Sequence, residues 1–110
     1  MNPLAPRTIP ILILTVAAAL LAADAIADTM DGEQLFYGKC GACHAEGGKA
    51  PVMAPVKFAA VQWERFFSRE KHQRKQDIHQ LITPEERSKI QQYLMEHAAD
   101  SDRPIAAGMK

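Results

Sequence analysis

Apolar positions along this chain recur at helical spacing and never in strand-like alternation, and they divide it into segments of different character. Ile9 to Ala23 (IPILILTVAAALLAA) is almost wholly apolar, broken by Pro10 and Thr15. At about 15 residues it is shorter than the ~20 that cross a bilayer. Arg7 stands before it, and Ala25-Ile26-Ala27 supplies the small-x-small pattern that a signal peptidase cuts. Residues 1–27 are therefore predicted to be a secretory signal, with Asp28 as the new N-terminus. The competing reading is an uncleaved membrane anchor.

Asp31 to Lys39 predicts a short helix, with Asp31 as N-cap and Lys39 near the C-terminal end. Residues 45–57 (AEGGKAPVMAPVK) are predicted to be a loop, because Gly47-Gly48, Pro51 and Pro55 suppress regular structure. Residues 58–71 (FAAVQWERFFSREK) predict a second helix with a broad apolar face of Phe58, Val61, Trp63, Phe66 and Phe67. Residues 72–82 (HQRKQDIHQLI) read as a strap or a broken helix. Thr83-Pro84-Glu85-Glu86 is a strong helix start: Thr83 caps, Pro84 suits the first position, and Glu86 stands where a capping box needs it. Ile90, Tyr93, Leu94 and His97 or Ala98 follow at helical spacing, and Pro104 prevents resumption after Asp100-Ser101-Asp102. The predicted fold is all-α, with a domain at 28–103 and residues 104–110 as a flexible tail.

Composition changes this picture in two ways. Lys plus Arg and Asp plus Glu are 13 each, so the chain is formally neutral, and removing 1–27 takes away one charge of each sign, Arg7 and Asp24. That balance excludes a general nucleic-acid binder. Aromatic residues are only 6%, thin for a core of this size, and so small a domain often gains stability from a staple, a metal or a cofactor. No Ser-His-Asp set, phosphate loop or paired acidic cluster appears, so catalysis is not expected.

The chemistry sits in Cys40-Gly41-Ala42-Cys43-His44. This is CxxCH, the attachment sequence for c-type haem. Two thiols three positions apart on one helical turn can each form a thioether with a different vinyl group of one macrocycle. The adjacent histidine is then directed at the iron. Gly41 and Ala42 are small and let the porphyrin edge approach the backbone. Export agrees with this reading, because c-type haem is attached outside the cytoplasm. Three rivals fit less well. A thioredoxin-like pair wants a βαβ context, a zinc site from Cys40, Cys43, His72 and His79 has the wrong histidine spacing, and a plain disulfide leaves His44 unexplained.

Gly32, Leu35, Phe36, Cys40, Cys43 and His44, followed by a capped helix carrying Tyr93-Leu94, resemble a small monohaem class I c-type cytochrome. The segment from Trp63 to Ser101 is also similar to the dihaem cytochrome c and sphaeroides haem protein group. The resemblance implies an all-α fold of about three to four helices around one covalent haem c. It implies that N- and C-terminal helices cross, bringing Leu35, Phe36, Ile90, Tyr93 and Leu94 together. Cys40 and Cys43 would tether the haem and His44 would be the proximal iron ligand.

The sixth ligand departs from the family, whose members usually place a methionine shortly before the last helix. Residues 72–82 contain none; they contain His72 and His79. His72 is the leading candidate, since it follows the Trp63 helix at the spacing that related short cytochromes use. His79 and Met53 are alternatives, and Met95 is better read as a core residue. Met53 follows His44 by about nine residues, a reach of roughly 30 Å only when fully extended. An iron left open on that side is the remaining alternative. Arg65, Arg69, Lys71, Arg74 and Lys75 fall within eleven residues, offset by Glu64 and Glu70, and read as a solvated helix face, with a positive rim facing an acidic redox partner as the alternative.

The function expected is that of a soluble, monomeric, periplasmic electron carrier between redox partner proteins, with no nucleic acid and no membrane span after signal cleavage. The alternatives are an oxygen- or nitric-oxide-binding sensor with an open distal site, and an electron-accepting subunit of a larger redox complex.

Overall fold

The computed structural model describes residues 3–4 and 30–110, and the chain divides into two units, Met1–Met30 and Asp31–Lys110. Apart from Pro3 and Leu4, the segment predicted as a signal lies outside the described residues. No helix among the described residues is long and apolar enough to cross a membrane. The second unit is helical, and among the described residues no strand forms.

Its first helix has three consecutive parts: α1 (Gly32–Leu35), a π-helical segment (Phe36–Cys40) and α2 (Gly41–His44). Asp31 and Gln34 start it by exchanging hydrogen bonds: Asp31 Oδ1 accepts the Gln34 N–H at 2.9 Å, and Gln34 Oε1 accepts the Asp31 N–H at 3.0 Å. The wide π turn has a consequence for the motif that follows. One extra residue rotates everything downstream by about 100°. Leu35 and Phe36 are buried in the core, while Cys40, Cys43 and His44, beyond the π turn, are half-buried.

A loop with a single 3₁₀ turn (Pro55–Lys57) leads to α3 (Ala60–Ser68), then a second 3₁₀ turn (Lys71–Arg74), a strap, and α4 (Pro84–Glu96). Thr83 opens α4 as its sequence predicts: Thr83 Oγ1 accepts the Glu86 N–H and Glu86 Oε1 accepts the Thr83 N–H, each at 3.2 Å. The expected helix over 58–71 is shorter at both ends. Its start is set from far away, because Asp100 Oδ1 accepts the Ala60 N–H at 2.8 Å while Phe58 and Ala59 stay extended. Its end is set by Glu70, whose φ of 51° is left-handed and stops the helical path.

Two apolar contacts make the core. In the first, α1 crosses α4, and Leu35, Phe36, Ile90, Tyr93 and Leu94 are all buried there. Burying each such side chain is worth roughly 1.5–3 kcal/mol. The Phe36 and Tyr93 ring centres are 5.6 Å apart. Gly32 makes the close crossing feasible: a Cβ there would overlap the Lys89 carbonyl oxygen and lie 2.8 Å from Tyr93 Cβ. In the second, Trp63 and Phe67 of α3 pack with Phe66, and the Trp63 indole N–H donates to the Pro55 carbonyl at 2.8 Å. Ile82 is also buried, just ahead of α4.

The expected flexible tail at 104–110 is instead fastened down. Val56 N–H donates to the Ile105 carbonyl at 3.2 Å, Met109 N–H to Met53 at 3.3 Å, and Glu46 N–H to Met109 at 3.1 Å. Met109 is 2% exposed and its sulfur lies against Gly41. The physical reason is the loop at 45–57, where the Glu46 and Val56 N–H groups and the Met53 carbonyl find their partners on the tail.

Candidate functional site

The site forms where α2 and the Lys71–Arg74 turn come together. Cys40 ends the π segment, and Cys43 and His44 follow on α2, so the motif occupies one continuous helical stretch. Both thiols are free and partly buried. Burial, and then the neighbouring Cys43, push the Cys40 thiol up to about 11. That is the opposite of the depressed value that an oxidoreductase nucleophile needs.

His44 is held by the loop it enters. Its Nδ1 stands 2.7 Å from the Pro51 carbonyl oxygen, and its own carbonyl accepts the Met53 N–H at 3.3 Å. Gly48 lets this loop close, since a Cβ there would meet the Cys43 and Ala45 carbonyls. His72 is held in the same way on the other side: its Nδ1 stands 2.8 Å from the Gln76 carbonyl oxygen. A carbonyl opposite Nδ1 fixes the proton there and leaves Nε2 as the bare nitrogen. Neither Nε2 has a partner among the described residues.

The two imidazoles come together edge to face, with ring centres 6.1 Å apart and planes at 77°. A metal ion between two such rings, at the ~2 Å of a metal–imidazole bond, places their centres roughly 6.3 Å apart. Plain ring packing also reaches such a distance. In both rings Nδ1 is tied to a backbone carbonyl. Phe66 borders His72 at 6.2 Å between ring centres, adding an apolar wall.

The other ligand candidates are placed elsewhere. The extended strap that a distal Met53 would need does not form, because the Met53 backbone is bonded both to His44 and to Met109. His79 Nε2 lies 3.1 Å from Glu70 Oε2 and is engaged there. Met95 lines a groove of about 660 Å³ with Ala60, Ser88 and Gln91, which includes neither His44 nor His72. No group of three His, Cys, Asp or Glu side chains converges to hold a metal among the described residues, so the zinc arrangement of Cys40, Cys43, His72 and His79 is not formed.

Sequence reasoning missed one set of residues beside the site. Arg87 on α4 donates from Nη1 to Glu70 Oε1 at 2.8 Å and from Nη2 to the Phe67 carbonyl, and its guanidinium lies 5.7 Å from the Phe67 ring centre. The Arg87 hydrogen bond is the main reason that the Glu70 carboxyl is held below the usual carboxylate range. No local pattern signals this contact, since the partners are 17 residues apart. Comparison with protein-family models, curated proteins and solved structures gives no match for this chain.

Proposed function

We propose that this chain is an exported monohaem c-type cytochrome that carries single electrons between redox partner proteins. One observation carries the reading: His44 of the CxxCH motif and His72 lie with ring centres 6.1 Å apart, and both Nδ1 atoms are tied to backbone carbonyls. Cys40 and Cys43 would hold haem c through thioethers, and His44 and His72 would be its two axial ligands. When bound, the haem supplies one-electron exchange at its iron.

The chain's own residues account for the rest of the behaviour. The Pro51 and Gln76 carbonyls orient the rings and keep Nε2 free, so little reorganisation is needed when charge changes. Phe66 sets an apolar wall beside His72. Two histidines, unlike a histidine and a methionine, favour a low potential. His72 in this position also favours a closed carrier over an open ligand-binding site. Arg65, Arg69, Lys71, Arg74 and Lys75 are exposed and make no ion pair among the described residues, which supports docking of an acidic partner at this rim. Periplasmic location rests on the signal pattern of residues 1–27.

The test is maturation in a host that attaches c-type haem. The account expects a red protein whose mass exceeds the processed polypeptide by one haem that survives denaturation. A colourless product with the mass of the polypeptide alone would refute it.

A further inference from the structure

The two histidines of the site differ in what fixes them. His72 sits on a four-residue 3₁₀ turn, and its hydrogen bond to Gln76 stays within the same strap. A turn this short has little rigidity of its own. Beside the ring contact with Phe66, what ties it to α4 is Glu70, the residue immediately before the turn. One carboxylate oxygen of Glu70 takes Arg87 at 2.8 Å, and the other faces His79 at 3.1 Å, so one side chain gathers both ends of the strap.

Arg87 is well built as the fixed end. It lies on the 13-residue α4, one and two turns ahead of Ile90 and Leu94, which are buried on the same face. Its side chain is only 19% exposed, while Glu70 is 41% exposed, so the arginine end of the pair is the one that packing holds in place. The same guanidinium also holds the Phe67 carbonyl at the end of α3 and rests on the Phe67 ring. Arg87 thus fastens the C-terminus of α3 and the start of the His72 turn in one stroke. Glu70 keeps a left-handed φ of 51°, uncommon for a side chain of its kind and held where surrounding contacts determine it.

We propose that Arg87 is a positioning residue whose contact with Glu70 keeps His72 in place and thereby closes the distal side of the iron to external diatomic ligands. The proposal rests on the haem reading above and on His72 as the sixth ligand. Loss of the contact frees the strap, and the sixth position opens each time His72 swings away. The chain then takes up carbon monoxide as a ligand-binding protein would.

The experiment is carbon monoxide binding to the reduced holoprotein, followed by the Soret band, with the high-spin fraction of the oxidised protein as a second readout. Binding to the wild type is expected to be slow and limited by His72 release. Arg87→Ala, and independently Glu70→Gln should Arg87→Ala fail to fold, are expected to raise the rate roughly tenfold or more, the scale of a lost charge-assisted hydrogen bond. The high-spin fraction should rise with it. His72→Ala should bind fast, and adding Arg87→Ala to it should change nothing further, because the latch acts only through His72. Wild-type rates in Arg87→Ala and Glu70→Gln beside a fast His72→Ala would overturn the latch alone. An additional acceleration by Arg87→Ala in the His72→Ala background would also overturn it, since general loosening would then be the cause. A His72→Ala protein with wild-type rate and spectrum would overturn the ligand assignment and the latch together.

Discussion

The His44 side and the His72 side of the site reach the same local result by different routes. On the His44 side the contacts that hold the ring are close in sequence: a capped helix runs into the motif, and the following loop, itself tied to Met109, returns the Pro51 carbonyl to the ring seven residues on. On the His72 side the ring is carried by a short turn, and its place depends on Arg87, Phe66 and Phe67 from other elements. The first side is written into local sequence. The second is assembled by tertiary contacts. The lesson is that equal ring geometry can hide unequal robustness, with the His72 side the one that substitutions at a distance will disturb.

That contrast can be broken from either end. The largest effect is expected for Phe67→Ala, which empties a buried ring beneath Arg87 and beside Trp63. A loss of about 3–5 kcal/mol in denaturant unfolding is expected. Amide exchange should speed up over residues 60–75 before it does so over 32–44. Gly32→Ala strikes the other side. The new methyl meets the backbone carbonyl of Lys89, which has no freedom to turn away, and a loss of about 1–3 kcal/mol is expected. Here the exchange order should reverse, with 32–44 loosening first. Smallest is Asp100→Ala, which removes the acceptor of the Ala60 N–H and so frays α3 from its start. About 0.5–2 kcal/mol is expected. A uniform change in exchange across both sides in all three variants would remove the distinction drawn above.

Much of the fold was legible because its signals are local. The Asp31 and Thr83 starts follow from cap chemistry within four residues, and the apolar spacing of Ile90, Tyr93 and Leu94 identifies the buried side of α4. The CxxCH motif likewise marks its own place on a helix end. What was not legible depends on distance. Nothing near residues 58–71 reveals that Asp100 opens the helix 40 residues away, nor that Glu70 ends it with a left-handed turn. Met109 carries no periodic partner, so its burial beside Gly41 follows only from the loop that needs its backbone. A five-residue π turn over Phe36–Cys40 is too short to leave a period of its own. His72 and His79 look alike in a polar strap; only the contacts separate them, one facing His44 and the other Glu70.

Central to the account is that two imidazoles, one from each side, share a single iron. Low-temperature magnetic resonance of the oxidised, fully matured protein, with near-infrared magnetic dichroism on the same sample, addresses this directly. If both rings bound one iron at the 77° between them, the two iron orbitals that overlap with them would lie close in energy. The account therefore predicts a strongly anisotropic low-spin signal with nitrogen ligands on both faces. A sulfur-to-iron charge-transfer band, or a predominantly high-spin iron at neutral pH, would contradict it.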